Sequence, residues 1–194
     1  LKSVQRANLL LDGSRPENSA EHSWHVALWA LVHAGAAPEG CDTDRALQML
    51  LLHDLVEIDA GDHPIHLPNP GQARAEQAAA ARLFARLPED LHARLQALWR
   101  EFEAGQSPEA RFAKQIDHCQ PLFQVLCAQS PRPDHLDIVR DNLATGRAAD
   151  LCQRWPAAHT AAVALLEHRA PPPGDFTDGL GFLSEVDALK SVYR

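Results

Sequence analysis

The spacing of apolar residues along the chain predicts a protein built almost entirely of helices. Apolar positions recur every three or four residues through most of the sequence, which is the pattern of an amphipathic helix. Ala occurs 32 times and Leu 27 times, whereas Val and Ile together occur 13 times. Because Ala and Leu favour helices while β-branched residues favour strands, we expect an all-α fold.

Capping residues and turn signals divide this pattern into separate helices. Asn18, followed three residues later by Glu21, has the spacing of a capping box. Gly61 and Gly105 follow apolar stretches, as expected of residues that end helices, and Pro121 is expected to kink or break the helix around it. The predicted helices cover residues 2–11, 18–35, 42–61, 72–87, 88–105, 107–128, 134–145 and 155–168.

The charge balance narrows the range of partners. The chain has 18 basic and 26 acidic residues, a net charge of −8 with neutral histidine. Proteins that bind nucleic acid or an anionic membrane surface need a basic face, and no cluster of Lys and Arg here provides one. We therefore expect no nucleic acid and no membrane partner, while a small anionic substrate remains open. An apolar helical surface also suggests a homodimer.

Cysteine usage and hydropathy suggest a cytoplasmic protein with free thiols. The four cysteines do not form a C-x-x-C pair, so zinc-ribbon and thioredoxin motifs are excluded. The longest uninterrupted apolar run covers residues 26–32, far short of the roughly 20 residues that span a bilayer.

The segment from Leu50 to Ile58 carries the main candidate chemistry. It is largely apolar yet contains His53, Asp54 and Glu57, with no Lys or Arg. A buried carboxylate without a partner costs several kcal/mol, and a bound cation would remove that cost. The alternative is a hydrogen-bonded His–Asp pair that bridges to another helix.

Two further residues favour the cation. His22 lies in the second predicted helix, and Asp117 lies among apolar residues of the sixth. Together with His53 and Asp54 they form a set of nitrogen and oxygen donors on three helices, which suits a borderline divalent metal ion.

These residues resemble the H…HD…D signature of the HD-domain metal-dependent phosphohydrolases. Residues 14–25, SRPENSAEHSWH, are similar to a stretch of bacterial HD hydrolases close to the 5′-deoxynucleotidases. Residues 53–62, 87–91 and 114–117 resemble three later blocks of the same family. The resemblance covers about residues 1–130, with the blocks in matching order.

The resemblance implies a helical bundle around one divalent metal ion, of the kind Mn, Co, Zn, Mg or Fe. It also implies an enzyme that removes the 5′-phosphate from nucleoside monophosphates. The implied metal ligands are His22, His53, Asp54 and Asp117. Hydrolysis of another phosphoester, such as a nucleoside triphosphate or a cyclic nucleotide, is an alternative. So is a metal-stabilised binding module without turnover.

The resemblance further assigns Glu57 and Asp62 to orienting and deprotonating the attacking water. Arg6 lies where the family has an arginine that contacts the nucleotide, and Arg15 and Lys114 are further candidates for substrate contacts. The deoxynucleotidases have a Trp directly after that arginine, whereas Ala follows Arg6 here. We therefore expect weaker selectivity for deoxyribose.

The end of the chain nearly repeats its beginning. Residues 189–194, LKSVYR, differ from residues 1–6, LKSVQR, at one position. We expect an HD domain over residues 1–170 and a linker that includes the PPPG of 171–174. Residues 181–194 are expected to form an amphipathic helix resembling the family's N-terminal segment, with Arg194 as a possible second arginine of the nucleotide site.

Overall fold

The computed structural model describes residues 1–64, 67 and 69–168, and its architecture is helical as predicted. Two short strands precede the helices: β1 at Gln5–Leu9 and β2 at Pro16–Asn18. The helices of these residues are α1 Ser19–Val32, α2 Thr43–Leu52, α3 Glu57–Ala60, α4 Gln72–Phe84, α5 Glu89–Ala104, α6 Pro108–Cys127, α7 Pro133–Ala144, α8 Leu151–Arg154 and α9 Pro156–His168.

The first element differs from the prediction. Residues 2–11 were expected to be a helix, but β1 pairs antiparallel with β2 in a hairpin whose turn includes Gly13 at φ +72°. The amide of Ser19 also donates to the carbonyl of Val4. An isolated helix of ten residues is marginal in water, so these pairings determine the conformation of the segment.

Helix α1 begins directly after the hairpin, at the predicted capping box. The Asn18 side chain accepts from the amides of Ala20 and Glu21, and the Glu21 carboxylate accepts from the Asn18 amide. These bonds satisfy amides that lack partners inside the helix. They fix the start of α1 against β2, and with it the face on which His22 lies.

The helix predicted for residues 42–61 is divided into three parts. After α2, residues His53–Val56 form a 3₁₀ turn, and α3 then ends at Gly61, which has φ +75° and ψ 155°. Residues three apart eclipse one another in a 3₁₀ turn. The tighter turn therefore aligns Asp54 with Glu57, and Gly61 provides a backbone conformation that other residues rarely adopt.

Contacts between residues divide the chain into two compact units. Unit 1 comprises residues 1–10 and 14–120, and its buried core includes Val26, Met49, Phe84 and Phe112. All the predicted site residues before the C-terminal tail belong to this unit.

Unit 2 comprises residues 11–13 and, of the remaining described chain, residues 121–168, with Phe123, Val139, Leu151 and Trp155 in its core. Pro121 does not break α6, which continues to Cys127. The tail predicted to form a helix at 181–194, including Arg194, lies outside the described residues. No helix in the described part of the chain is long and apolar enough to cross a membrane.

Candidate metal centre and active site

Four side chains predicted as metal ligands converge inside unit 1. Ligand atoms of His22, His53 and Asp54 all lie within 4.8 Å of one another. Oδ1 of Asp117 lies 3.0 Å from Nε2 of His22 and 3.4 Å from Nε2 of His53. The side chains predicted as ligands thus come together from α1, the 3₁₀ turn and α6, and their role as metal ligands stays a prediction.

The backbone holds His53 with one ring nitrogen facing the cluster. Nδ1 of His53 lies 2.8 Å from the carbonyl oxygen of Leu50, to which it donates. Nε2 then faces Oδ1 of Asp54 at 2.9 Å. The indole of Trp99 also donates to the His53 carbonyl, and the Phe102 ring packs 5.0 Å from the imidazole. The imidazole is thus held in place from the side opposite the cluster.

The donor set fits a divalent cation. Nε2 of His53 is buried and makes no hydrogen bond with any described residue, although it lies close to Asp54 and Asp117. Short distances without hydrogen-bond geometry are expected where donor atoms point at a common centre. Two imidazoles and two carboxylates suit Zn²⁺, Mn²⁺, Co²⁺ or Fe²⁺.

Arg6, carried by β1, inserts its guanidinium among acidic side chains. Nη1 of Arg6 lies 3.0 Å from Oδ2 of Asp54, 3.5 Å from Oδ1 of Asp62 and 3.7 Å from Oε1 of Glu57. Nε lies 3.7 Å from Oε2 of Glu17. Burial opposes the charge, but the facing carboxylates hold the pKa of Arg6 above its ordinary value. Arg6 is therefore a permanent cation inside the site.

Glu57 and Asp62 lie on the Arg6 side of the cluster. The hydroxyl of Ser19 donates to Oε2 of Glu57 at 2.5 Å, which leaves Oε1 facing Arg6. Burial, together with the neighbouring Asp54 carboxylate, raises the pKa of Glu57 to about 8. Burial also raises the pKa of Asp62. Both carboxyl groups can thus exchange a proton closer to neutral pH than ordinary acids.

The pKa values of the two carboxyl groups predicted as metal ligands, Asp54 and Asp117, are lowered instead of raised. Burial pushes the pKa of Asp117 upward, but the facing His53 and His22 hold it well below its usual range. The same combination of burial and a dominant His53 lowers the pKa of Asp54. Burial works against the charge of His53, yet Asp54 and Asp117 raise its pKa well above the ordinary value. A proton on His53 would therefore offset part of the negative charge that a cation would otherwise balance.

The other two predicted substrate contacts have partners elsewhere. Arg15 forms a two-pronged ion pair with Glu21 and is half-exposed. Nζ of Lys114 lies over the Phe102 ring, 4.6 Å from its centroid, and the same ring packs against the imidazole of His53. Their roles in substrate binding stay predictions.

Two buried polar residues of the cluster were not singled out from the sequence. Ser19 is fully buried and bonds Glu57. Glu17 is 2% exposed, and its Oε2 lies 3.7 Å from Nδ1 of His22. Both lie in the block of residues 14–25 that carries the family resemblance. The sequence does offer a signal for both: an acidic residue, Glu17, just before a helix with many buried residues, and a hydroxyl residue, Ser19, at the first position of that helix.

The comparison with protein families agrees with this geometry. The HD domain family matches residues 1–159. The chain therefore belongs to the HD domain family, as the motifs predicted. A solved structure of similar fold, a predicted metal-dependent phosphohydrolase from Magnetospirillum magnetotacticum MS-1, is 39% identical. The match covers 86% of each chain with a TM-score of 0.72.

Curated relatives carry a more specific name. The 5′-deoxynucleotidase HDDC2 of Bos taurus is 36% identical over 112 residues, which are 57% of this chain and 53% of the relative. The Homo sapiens protein of that name is 34% identical over the same length and shares. The 5′-deoxynucleotidase hdd1 of Schizosaccharomyces pombe is 27% identical over 64% of this chain and 65% of its own. The chain thus spans about half the length of the HDDC2 relatives.

The raised pKa of Glu57 predicts how the stability of the metal-free protein depends on pH. The folded chain keeps the Glu57 proton up to about pH 8, whereas the unfolded chain loses it near the ordinary glutamate pKa of 4.5. Stability should therefore fall as pH rises through this window, since the folded state binds more protons. Glu57→Gln should remove this loss and exceed the wild type by a few kcal/mol near pH 8, at about 1.4 kcal/mol per unit of pKa shift.

Urea unfolding in the presence of a chelator at about pH 5, 6.5 and 8 measures this difference. Glu103→Gln, on the exposed side of α5, is the control and should follow the wild-type pH profile. Parallel profiles for wild type and Glu57→Gln would contradict the raised pKa.

Proposed function

We propose that this chain is a metal-dependent phosphohydrolase that removes the 5′-phosphate from ribo- and deoxyribonucleoside monophosphates. The observation that carries the proposal is one buried cluster with three parts. It holds a His/Asp donor set, two further acids with raised pKa values and an arginine. The names of the relatives, 5′-deoxynucleotidase and metal-dependent phosphohydrolase, support the same reaction class.

His22, His53, Asp54 and Asp117 are the proposed ligands. When bound, a divalent cation supplies Lewis-acid polarisation of a phosphate oxygen and a fixed position for water. Burial of His22, His53 and Asp54 keeps their donor atoms in place and excludes bulk water from one side.

Glu57 and Asp62 are the proposed acid and base. Ser19 fixes one oxygen of Glu57, so the other remains directed toward Arg6 and the cluster. A carboxyl with a pKa near neutral can accept a proton from the attacking water and return one to the leaving oxygen. A purely structural metal site needs no such additional acids, which disfavours a binding module without turnover.

Arg6 is the proposed phosphate contact. Its guanidinium stays charged and has several N–H donors, which suits a phosphate group. In the free protein these donors face Asp54 and Asp62. Phosphate oxygens would compete with these carboxylates for the same donors. Phosphoryl transfer depends mainly on charge placement, so this competition lies at the centre of the proposed reaction.

Phosphate release from a panel of nucleotides tests the proposal. Chelated protein is supplied with one divalent metal at a time and assayed with nucleoside mono- and triphosphates and cyclic nucleotides. We expect release from 5′-monophosphates, with deoxy- and ribonucleotides within about a thousandfold in kcat/KM, roughly 4 kcal/mol. If only triphosphates or only cyclic nucleotides are hydrolysed, the proposed substrate class is wrong and that other class takes its place. No turnover with any metal would overturn the proposal.

Removal of a proposed ligand should abolish metal binding and activity together. His53→Ala and Asp117→Ala each remove one proposed donor, and a site with four protein ligands has little redundancy. Elemental analysis of the purified variants measures bound metal. His159→Ala, on α9 in unit 2, should keep the wild-type metal content. Full occupancy in both ligand variants would refute the ligand assignment.

Removal of a proposed acid should lower the rate without loss of metal. Glu57→Gln preserves the acceptor for Ser19, and Asp62→Asn preserves side-chain size. We expect each to lose about two or more orders of magnitude in kcat with unchanged metal content, whereas Glu103→Gln keeps both. If either variant hydrolyses nucleotides at the wild-type rate, the substituted residue has no catalytic role.

We also propose that the active form is a cytoplasmic homodimer. Large apolar side chains on α1 and α2 are exposed, among them Trp24, Leu31 and Leu51 at 50% or more. Exposed apolar side chains that form a contiguous patch commonly mark an interface. Sedimentation velocity should give the mass of a dimer, and Leu31→Lys should shift it toward the monomer. A monomeric wild type at micromolar concentration would contradict this proposal.

A further inference from the structure

The two histidines of the candidate metal centre are held differently. Nδ1 of His53 donates to the backbone carbonyl of Leu50, so the orientation of that ring is fixed by α2 itself. Nδ1 of His22 is buried and makes no hydrogen bond within the part of the chain that the structure describes. The side chain of His22 is 0% exposed, so bulk solvent does not contact this nitrogen. A buried ring nitrogen without a partner costs about 1–3 kcal/mol.

Glu17 lies on the Nδ1 side of His22. Its Oε2 is 3.7 Å from Nδ1, about 0.8 Å beyond a normal N–H···O bond. Glu17 belongs to β2 and precedes the first residue of α1 by two positions, so the capping box at Asn18 fixes its place relative to His22. The same oxygen lies 3.7 Å from Nε of Arg6. One buried carboxylate therefore adjoins both a proposed metal ligand and the proposed phosphate contact.

Cation binding by His22 would require a hydrogen-bond acceptor at its Nδ1, the position that Glu17 adjoins. An imidazole that binds a cation through Nε2 carries its remaining proton on Nδ1, and that N–H requires an acceptor. Metal-bound histidines usually donate this proton to a carboxylate or a carbonyl, which fixes the ring and makes it a better ligand. His53 has a carbonyl in this role. For His22, the residue in position is Glu17.

We propose that Glu17 is a positioning residue of the metal centre. It accepts a hydrogen bond from Nδ1–H of His22, which directs Nε2 of that ring toward the cation, and its negative charge holds Arg6 beside the cluster. The inference rests on the proposed function only in taking His22 as a ligand and Arg6 as the phosphate contact.

Zinc affinity provides the first test. Chelator-treated protein is titrated with Zn²⁺ against a chromophoric competitor, for wild type, Glu17→Gln and Glu17→Ala. Loss of such a hydrogen-bond partner typically weakens metal binding by 10–100-fold, and we expect a Kd increase in that range for Glu17→Ala. Glu17→Gln should show a smaller increase, because its amide oxygen can still accept from Nδ1–H. Glu17→Gln also decides the question if the alanine variant does not fold.

A variant of the neighbouring capping residue controls for general loosening of α1. Glu21→Ala removes one half of the capping box and should lower the melting temperature, while the zinc Kd changes by less than about twofold. A purely structural role for Glu17 predicts the opposite pattern. In that case the Glu17 variants lower the melting temperature as Glu21→Ala does and bind zinc as the wild type does.

Imidazole N–H resonances provide a second readout that does not depend on affinity. In zinc-loaded protein labelled with ¹⁵N-histidine, His22 and His53 should each give a protected Nδ1–H signal. We expect the His22 signal to shift in Glu17→Gln and to disappear in Glu17→Ala, while the His53 signal stays in place because Leu50 is unchanged. Wild-type zinc Kd and an unaltered His22 signal in both variants would overturn the inference.

These measurements use no nucleotide, so they separate the inference from the proposed function. If the wild type binds zinc but no nucleotide releases phosphate, the proposed reaction is wrong while the Kd ratios still decide the role of Glu17. If the Glu17 variants bind zinc normally and nucleotides are hydrolysed, the reaction stands and the positioning role does not.

Discussion

The structure of unit 1 depends on keeping several negative charges buried in one place. Carboxyl groups of Glu17, Asp54, Glu57, Asp62 and Asp117 surround one permanent cation, Arg6. Like charges at these distances are strongly unfavourable in a poorly solvated interior. The raised pKa values of Glu57 and His53 favour protons on these two groups, which would reduce the imbalance. A divalent cation would reduce it without protons, so its binding should release protons and weaken in acid.

Each part of the local fold places one component of this cluster. The capping box fixes the start of α1 and hence His22, and the 3₁₀ turn aligns Asp54 with Glu57. Gly61 turns the chain so that Asp62 reaches Arg6. The helices therefore mainly provide support, and most of the proposed functional side chains lie at helix ends or in the 3₁₀ turn that interrupts them. This arrangement allows a rigid core to hold functional groups whose mutual repulsion would otherwise separate them.

The sequence predicted the helical class, the capping box and the four proposed ligands because those features have local signatures. Helix propensity and the H…HD…D spacing can be seen without tertiary information. The β-hairpin could not be predicted this way, since residues 5–9 adopt their strand only by pairing with residues 16–18. The roles of Ser19 and Glu17 were missed for a related reason. Their partners, Glu57 and Arg6, are distant in sequence or on another element.

Arg6 is held by a different kind of structure from the residues around it. The proposed metal ligands lie on helices and a turn that are packed into the core, whereas Arg6 belongs to a two-stranded hairpin, an element that is marginally stable by itself. Local opening costs least where few buried contacts are lost. The backbone amides of β1 should therefore exchange with solvent sooner than those of α1. During such an opening the centre would lose the permanent positive charge of Arg6, while the side chains proposed to bind the metal stay assembled.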